Sequence, residues 1–306
     1  TVYHFAHIGN LRSYIMEDVL EKYLRWAGYR VDREFYVNDA GNQINKFGLS
    51  LDLRYQQLYK DGIEMPEDSY HGQDIIDHAR NFAAIYGDKY MHTSEEERRQ
   101  ALVEYALPLN IQGLERDLAK YRIHYDRWFR ESTLHADGSV MKVVELLKEK
   151  GHTYEAEGAT WFRATEFGAD KDFVLVRSNG VPTYVVPDIA YHYGKLVTRG
   201  YDKAIDVLGA DHHGYVPRLK AALQALGVDP DRLDVVLMQM VRLIRDGEVV
   251  KASKRSGKAI TLVTLLDEVP IDAARFYFNL REANSQFDFD LDLAVEQSSQ
   301  NPVYYE

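Results

Sequence analysis

The strongest constraint on the fold of this chain is a repeated switch of hydrophobic period, strand to helix and back, at both ends of the sequence. Residues 2–6 carry a strand pattern that runs into an amphipathic helical pattern over residues 11–27, closed by Gly28. A second strand pattern follows at residues 31–37, then a helix holding Asn42, Ile44, Phe47, Leu51, Tyr55 and Leu58. The same grammar returns late, as a strand at 203–208, a helix at 215–226 and an apolar strand at 235–240. Strand–helix–strand succession is the mark of parallel strands joined by crossover helices. Two such halves around a long middle predict an α/β fold, a Rossmann-like parallel sheet with an insertion.

The middle reads as mostly helical. Ser94 with Glu97 three residues on makes a capping box for a helix running toward Tyr121, and Pro108 is expected to kink it. The charge run at 95–99 reads as a solvated helix face. Residues 140–148 form another amphipathic pattern, closed by Gly151. Residues 153–162 and 173–186 are rich in β-branched and aromatic types with glycine turns, which predicts a small antiparallel excursion.

Two short motifs stand at strand-to-helix transitions far apart. His7-Ile8-Gly9-Asn10 sits where the first strand turns into the first helix, and Lys251-Ala252-Ser253-Lys254-Arg255 lies in a lysine-rich loop after the last strand. A helix N-terminus offers free N–H groups and a positive dipole end, which suit a phosphate. Gly9 permits close approach of a ligand, and His7 and Asn10 can donate to phosphate oxygens. Lys251 and Lys254 supply mobile positive charge for a leaving pyrophosphate, with Lys254, beside Ser253 and before Gly257, the stronger candidate. Taken one at a time, His7 reads equally as a core histidine and the lysines as a solvated loop. Together and in this order they predict the two halves of one ATP site and the making of an adenylate.

Gly209-Ala210-Asp211-His212-His213-Gly214 follows a strand and precedes a helix. Adjacent histidines rarely reach one ion together without further ligands, so the spacing argues against a metal. A sugar-binding turn at the carboxyl end of a strand fits better, and it is compatible with Asp211 also capping the next helix. Tyr184-Val185-Val186-Pro187-Asp188 precedes a helix over 189–196. Asp188 reads either as a helix N-terminal carboxylate or, with Tyr184, as the receptor of a cationic side chain. Sequence chemistry alone leaves both open.

The composition narrows the setting. The 306 residues contain no cysteine, which removes disulfides and cysteine-held zinc and fits a reducing compartment. There is no apolar run long enough to span a membrane and no signal-peptide pattern, so a cytoplasmic location without membrane contact is expected. A net charge of −11 argues against indiscriminate nucleic-acid binding but not against a local basic surface, for which Arg242, Arg245, Arg255 and Lys258 are candidates.

The first motif resembles the HIGH element of class I aminoacyl-tRNA synthetases, and the second resembles their KMSKS element. From about residue 33 onward the chain is similar to the catalytic domain of bacterial-type arginyl-tRNA synthetases. The runs that carry this are Glu34 through Gln43, Tyr70 through Asp74, Tyr184 through Tyr191, Gly209 through Pro217, Gln239 through Leu243, and Phe287 through Tyr305. The resemblance implies one catalytic domain over residues 1–306. Its Rossmann halves fall at about 1–60 and 184–260, its helical middle and small β insertion at about 61–183, and the start of a C-terminal connection at about 261–306. An anticodon-binding domain is expected to be absent from this chain.

By matching positions, the resemblance implies that His7, Gly9 and Asn10 hold ATP phosphates. Gly209, Asp211 and His212 would lie near the ribose, Met240 and Val241 near adenine, and Lys254 on the pyrophosphate. Asp188 and Tyr184 would meet the guanidinium of arginine. The implied substrates are arginine, ATP with magnesium and the acceptor end of tRNA(Arg), with tRNA needed even for the first step and no structural zinc expected. Residues 1–31 look more like cysteinyl-tRNA synthetases, and Ala252 stands where methionine is common. The alternatives are therefore a cysteine-activating or relaxed-specificity core, or a non-catalytic remnant that binds nucleotide or RNA.

Overall fold

A computed structural model of the chain describes residue 3, residues 8–250 and residues 260–304. The predicted strand at 2–6, apart from Tyr3, and the residues His7, Lys251, Lys254, Arg255 and Lys258 lie outside the described residues. The chain packs into two units, one of Thr1–Phe129, Val241–Glu282 and Gln286–Glu306, the other of Arg130–Met240 and Ala283–Ser285.

The first unit begins with helix α1 (Leu11–Trp26), which buries Leu11, Tyr14, Ile15 and Asp18. That spacing marks one face of a 3.6-residue period. Strand β1 (Glu34–Val37) is shorter than the pattern at 31–37 suggests. Helices α2 (Asn42–Gln56), α3 (Gln73–Tyr86) and α4 (Glu95–Lys120) follow. Ser94 caps α4 through its hydroxyl, which accepts from the Glu97 N–H, and the helix continues through Pro108. Strand β2 (Arg127–Arg130) pairs with β1, a partnership the sequence pattern does not announce. Aromatic neighbours hold it: Phe35 stacks on Trp128 at 4.5 Å and Tyr36 on Phe129 at 6.1 Å.

In the second unit a short helix α5 (Glu131–Ala136), unforeseen from sequence, leads into α6 (Ser139–Glu149). Strands β3 (Thr153–Ala156), β4 (Ala159–Phe162) and β5 (Phe173–Val176) form the expected antiparallel excursion. The run to residue 186 is not one strand. Gly180 turns the chain at φ 81°, and helix α7 (Val185–Tyr193) starts four residues earlier than expected, continuing as a π-helical turn at Gly194–Thr198. Pro187 is no barrier, because it occupies the first turn, where backbone N–H groups lack intrahelical partners anyway. Strand β6 (Ala204–Gly209), helix α8 (Val216–Ala225) and strand β7 (Leu233–Met238) make the predicted βαβ unit. β6 and β7 pair in parallel from Ala204 against Leu233 to Gly209 against Met238.

The chain then re-enters the first unit with β8 (Val241–Arg245), β9 (Glu248–Val249), α9 (Leu262–Glu268), α10 (Ile271–Phe278) and β10 (Phe287–Asp290). β10 lies parallel to β8, with β9 antiparallel on the other edge. The main core belongs to this unit, with Leu11, Ile15, Phe47, Leu51, Tyr55, Phe82, Leu102, Phe278 and Phe289 all but inaccessible. Helices with parallel strand pairs match the expected α/β plan.

Candidate active site

The first motif's described part, Ile8–Asn10, forms a 3-10 turn that feeds directly into α1. Ile8 is buried, and its N–H donates to the Ile260 carbonyl at 3.4 Å. Ile260 is the first described residue after the second motif, and Thr261 next to it caps α9 in a reciprocal box with Thr264. One backbone hydrogen bond therefore ties the flank of the first motif to the flank of the second within one unit. No side chain caps α1 at Asn10. The Asn10 amide instead meets the Tyr14 phenol, whose pKa is raised by burial and by the Glu17 carboxylate. Gly9 is exposed and Asn10 half-buried. Asn10 thus places no side-chain cap on the first turn of α1.

On the second unit, β6 ends at Gly209 and passes into a 3-10 turn at Ala210–His212. A Cβ on Gly209 would sit 2.5 Å from Asp211 Oδ1, so this glycine lets the Asp211 side chain fold back against the strand end. Asp211 and His212 are exposed. Met240 is 79% exposed, a large apolar side chain left open at the end of the βαβ unit. Val241 opens β8 in the first unit, half-buried. The nucleotide candidates therefore divide between the units.

Asp188 is not the N-cap of α7 but a carboxylate of its first turn, as the helix N-terminal reading expects. Tyr184 occupies the N-cap position of α7 without a capping side-chain bond, and Asp188 is the fourth helical residue. Its Oδ2 accepts a short hydrogen bond from the Tyr215 hydroxyl. Burial raises the Asp188 pKa, opposed by that hydrogen bond and by the nearby His192 and His212. Tyr184 is 59% exposed, with the Arg177 guanidinium 6.0 Å above its ring.

Behind Asp188 stands a polar network that sequence reading missed. His192, one helical turn on, is buried and donates from Nδ1 to the Asp188 carbonyl oxygen at 2.7 Å. Its Nε2 meets Asp206 Oδ2 at 2.5 Å, and Lys195 Nζ donates to Asp206 Oδ1 at 3.2 Å. Burial works to raise the Asp206 pKa, yet the His192 and Lys195 charges prevail and hold it well below the usual carboxylate range. Two signals pointed here: a charged residue in the middle of the apolar strand Ala204–Gly209, and the four-residue spacing of Asp188 and His192 on one helix.

Arg242 and Arg245, offered as RNA contacts, are engaged with Asp288 and Glu268 respectively. Among the described residues no group of three or more histidine and carboxylate side chains could hold a metal ion. Among them, too, no helix is long and apolar enough to cross a membrane.

Comparison with known proteins gives this geometry its context. The profile described as "tRNA synthetases class I (R), catalytic domain" matches residues 2–292. The arginine–tRNA ligase of Caldanaerobacter subterraneus is 58% identical over 299 residues, covering 98% of this chain and 53% of that protein. The corresponding protein of Acetivibrio thermocellus is 53% identical over 301 residues, with the same coverage. The chain spans about half the length of these curated relatives. Among solved structures, a Campylobacter jejuni protein described as an arginyl-tRNA synthetase superposes with a TM-score of 0.89 at 36% identity, over 99% of this chain and 66% of that one. The Thermus thermophilus arginyl-tRNA synthetase shares the fold, with a TM-score of 0.74 at 21% identity over 97% of this chain and 60% of that one.

Proposed function

The chain belongs to the family of class I (R) tRNA synthetase catalytic domains, and on that premise we propose that it activates arginine with ATP and passes it to the 3′ end of tRNA(Arg). What supports this reading most is the 58% identity to an arginine–tRNA ligase across 98% of the chain. In the first step a carboxylate oxygen of arginine attacks the α-phosphorus of ATP. The bond to the β-phosphate breaks and pyrophosphate leaves, giving arginyl-adenylate. In the second step a ribose hydroxyl of the terminal adenosine attacks the activated carbonyl, and AMP leaves. Magnesium enters with ATP, whose phosphate oxygens suit a hard cation.

Each residue has a proposed task. His7, Gly9 and Asn10 bind phosphate near the start of α1, where the positive end of the helix dipole meets developing negative charge. Lys251 and Lys254 offset the charge on departing pyrophosphate, and the Ile8–Ile260 hydrogen bond supports their belonging to the same site as the first motif. Gly209, Asp211 and His212 meet the ribose, and Met240 with Val241 the adenine. Asp188 receives the guanidinium, a planar cation that a carboxylate matches in two parallel hydrogen bonds, and Tyr184 covers it. The tRNA contact is confined to the acceptor end, and the setting is the cytoplasm.

Pyrophosphate exchange with each amino acid, with and without tRNA(Arg), tests the reading. Exchange is expected with arginine and no other amino acid, and with tRNA(Arg) present. Exchange with cysteine would favour the alternative motivated by residues 1–31. ATP binding without exchange under any condition would leave a nucleotide-binding remnant.

A further inference from the structure

The proposed roles leave one group of chemically capable side chains unused: half-buried Tyr215, with buried His192 and half-buried Asp206 and Lys195 behind it. We infer that Tyr215 is the positioning residue that orients the Asp188 carboxylate, and through it sets the preference for a guanidinium over a neutral group of the same shape. The inference rests on Asp188 being the guanidinium receptor.

The geometry carries it. An aspartate on a helix can turn about two side-chain bonds, and a receptor for a planar, bidentate cation must not. Tyr215 stands at the start of α8, and its hydroxyl donates to Asp188 Oδ2. Among the described residues no other hydrogen bond reaches that carboxylate. One oxygen is therefore fixed and the direction of the other follows from it. The backbone is braced as well. His192 holds the Asp188 carbonyl oxygen, and Asp206, paired with Lys195, holds His192 from the other side.

The chemical type of the anchor matters. A lysine or arginine here would neutralise Asp188 and compete with the incoming guanidinium. A phenol donates a hydrogen bond without a charge. Burial and the Asp188 carboxylate push the Tyr215 pKa up, so the hydroxyl keeps its proton across the working pH range. Beside it, the His212 ring meets the Tyr215 ring at 6.2 Å and 78°.

Calorimetric titration of the parent protein and Tyr215→Phe with arginine, citrulline and ATP tests this. Citrulline carries a neutral ureido group in place of the guanidinium. Tyr215→Phe should weaken arginine binding by about tenfold while citrulline and ATP change by less than about twofold. In an Asp188→Asn background the same substitution should have no further effect on arginine. Equal weakening of arginine and citrulline, or additive effects of the two substitutions, would make Tyr215 a mere tether between helices and overturn the inference. Should Tyr215→Phe fold poorly, para-aminophenylalanine at position 215, which donates from the same place, is the second arm. Retained arginine preference supports the inference, and its loss overturns it. A parent that binds ATP but not arginine removes the receptor reading itself. A parent that binds arginine beside an indifferent Tyr215→Phe removes only the inference.

Discussion

Two buried aspartates of the first unit and Asp188 of the second are treated in opposite ways. In the first unit, Asp52 is wholly inaccessible and is met by Arg98, by Arg99 at 3.0 Å and by the Gln56 amide at 2.8 Å. Asp18, nearly as buried, is met by Arg33 at 3.0 Å, Lys22 at 2.8 Å and Arg275 at 2.5 Å, and its pKa is lowered although burial works the other way. In the second unit, Asp188 has the Tyr215 phenol as its hydrogen-bond partner and, among the described residues, no ion pair, with His192 and His212 only nearby, and its pKa is raised by burial. A carboxylate saturated by cations has no capacity left for a ligand. A carboxylate oriented by a neutral donor, at a cost in desolvation, has its charge still to satisfy. The contrast sets carboxylates that hold the fold apart from the one proposed to recognise a cation.

The largest effect that would break this comparison lies in the first unit. Asp52→Asn strands Arg98, almost fully buried, and leaves Arg99 only Glu95, and should cost about 3–5 kcal/mol of stability. Denaturant unfolding measures it, and the arginine affinity of the folded protein should be unchanged. A silent Asp52→Asn would mean that saturation is not what holds this unit together.

Next comes the phosphate side. Lys254→Ala should slow adenylate formation by more than about tenfold, or roughly 2–4 kcal/mol of transition-state stabilisation, with a smaller effect on ATP binding. Single-turnover rates beside ATP titration check it, and parallel losses would reduce the lysine to a ground-state contact. Lys251→Ala should matter less.

The smallest effect is in pH dependence, and its sign sharpens the comparison. A depressed folded pKa, as at Asp206 and Asp18, gives stability that is present above the unfolded value near 3.8 and is lost as pH falls below it. The raised folded pKa of Asp188 works in reverse, since ionising it in place costs stability as pH rises above 3.8. Asp206→Asn should therefore flatten the acid limb of a thermal-stability profile. Asp188→Asn should leave the neutral protein at least as stable as the parent. Loss of stability at neutral pH from Asp188→Asn would place Asp188 with Asp18 and Asp52.

Much of this was legible in sequence wherever the signal was local. The βαβ unit of Ala204–Gly209, Val216–Ala225 and Leu233–Met238 was, because each element has its own period and its own turn. The Ser94 cap was as well, because its partner lies three residues away. The pairing of Glu34–Val37 with Arg127–Arg130 was not, since nothing nearby in sequence fixes a partner some ninety residues on. The start of α7 was misjudged because a proline reads as a boundary, although the first helical turn accepts one. Asp188 was found with its chemistry left open. Tyr215 and Asp206, which bear on the proposed reading, belong to other elements and meet it only in the folded chain.

The central claim is that Asp188, without an ion pair among the described residues, is held ready to receive a cation. Arginine-dependent pyrophosphate exchange by Asp188→Asn with tRNA(Arg) present, run beside the parent and beside thermal unfolding of the same protein, tests it most directly. The account predicts arginine use weakened by roughly 2–4 kcal/mol, with ATP binding and melting temperature nearly unchanged. Unaltered arginine use by a folded Asp188→Asn protein would contradict it and move recognition of the guanidinium elsewhere.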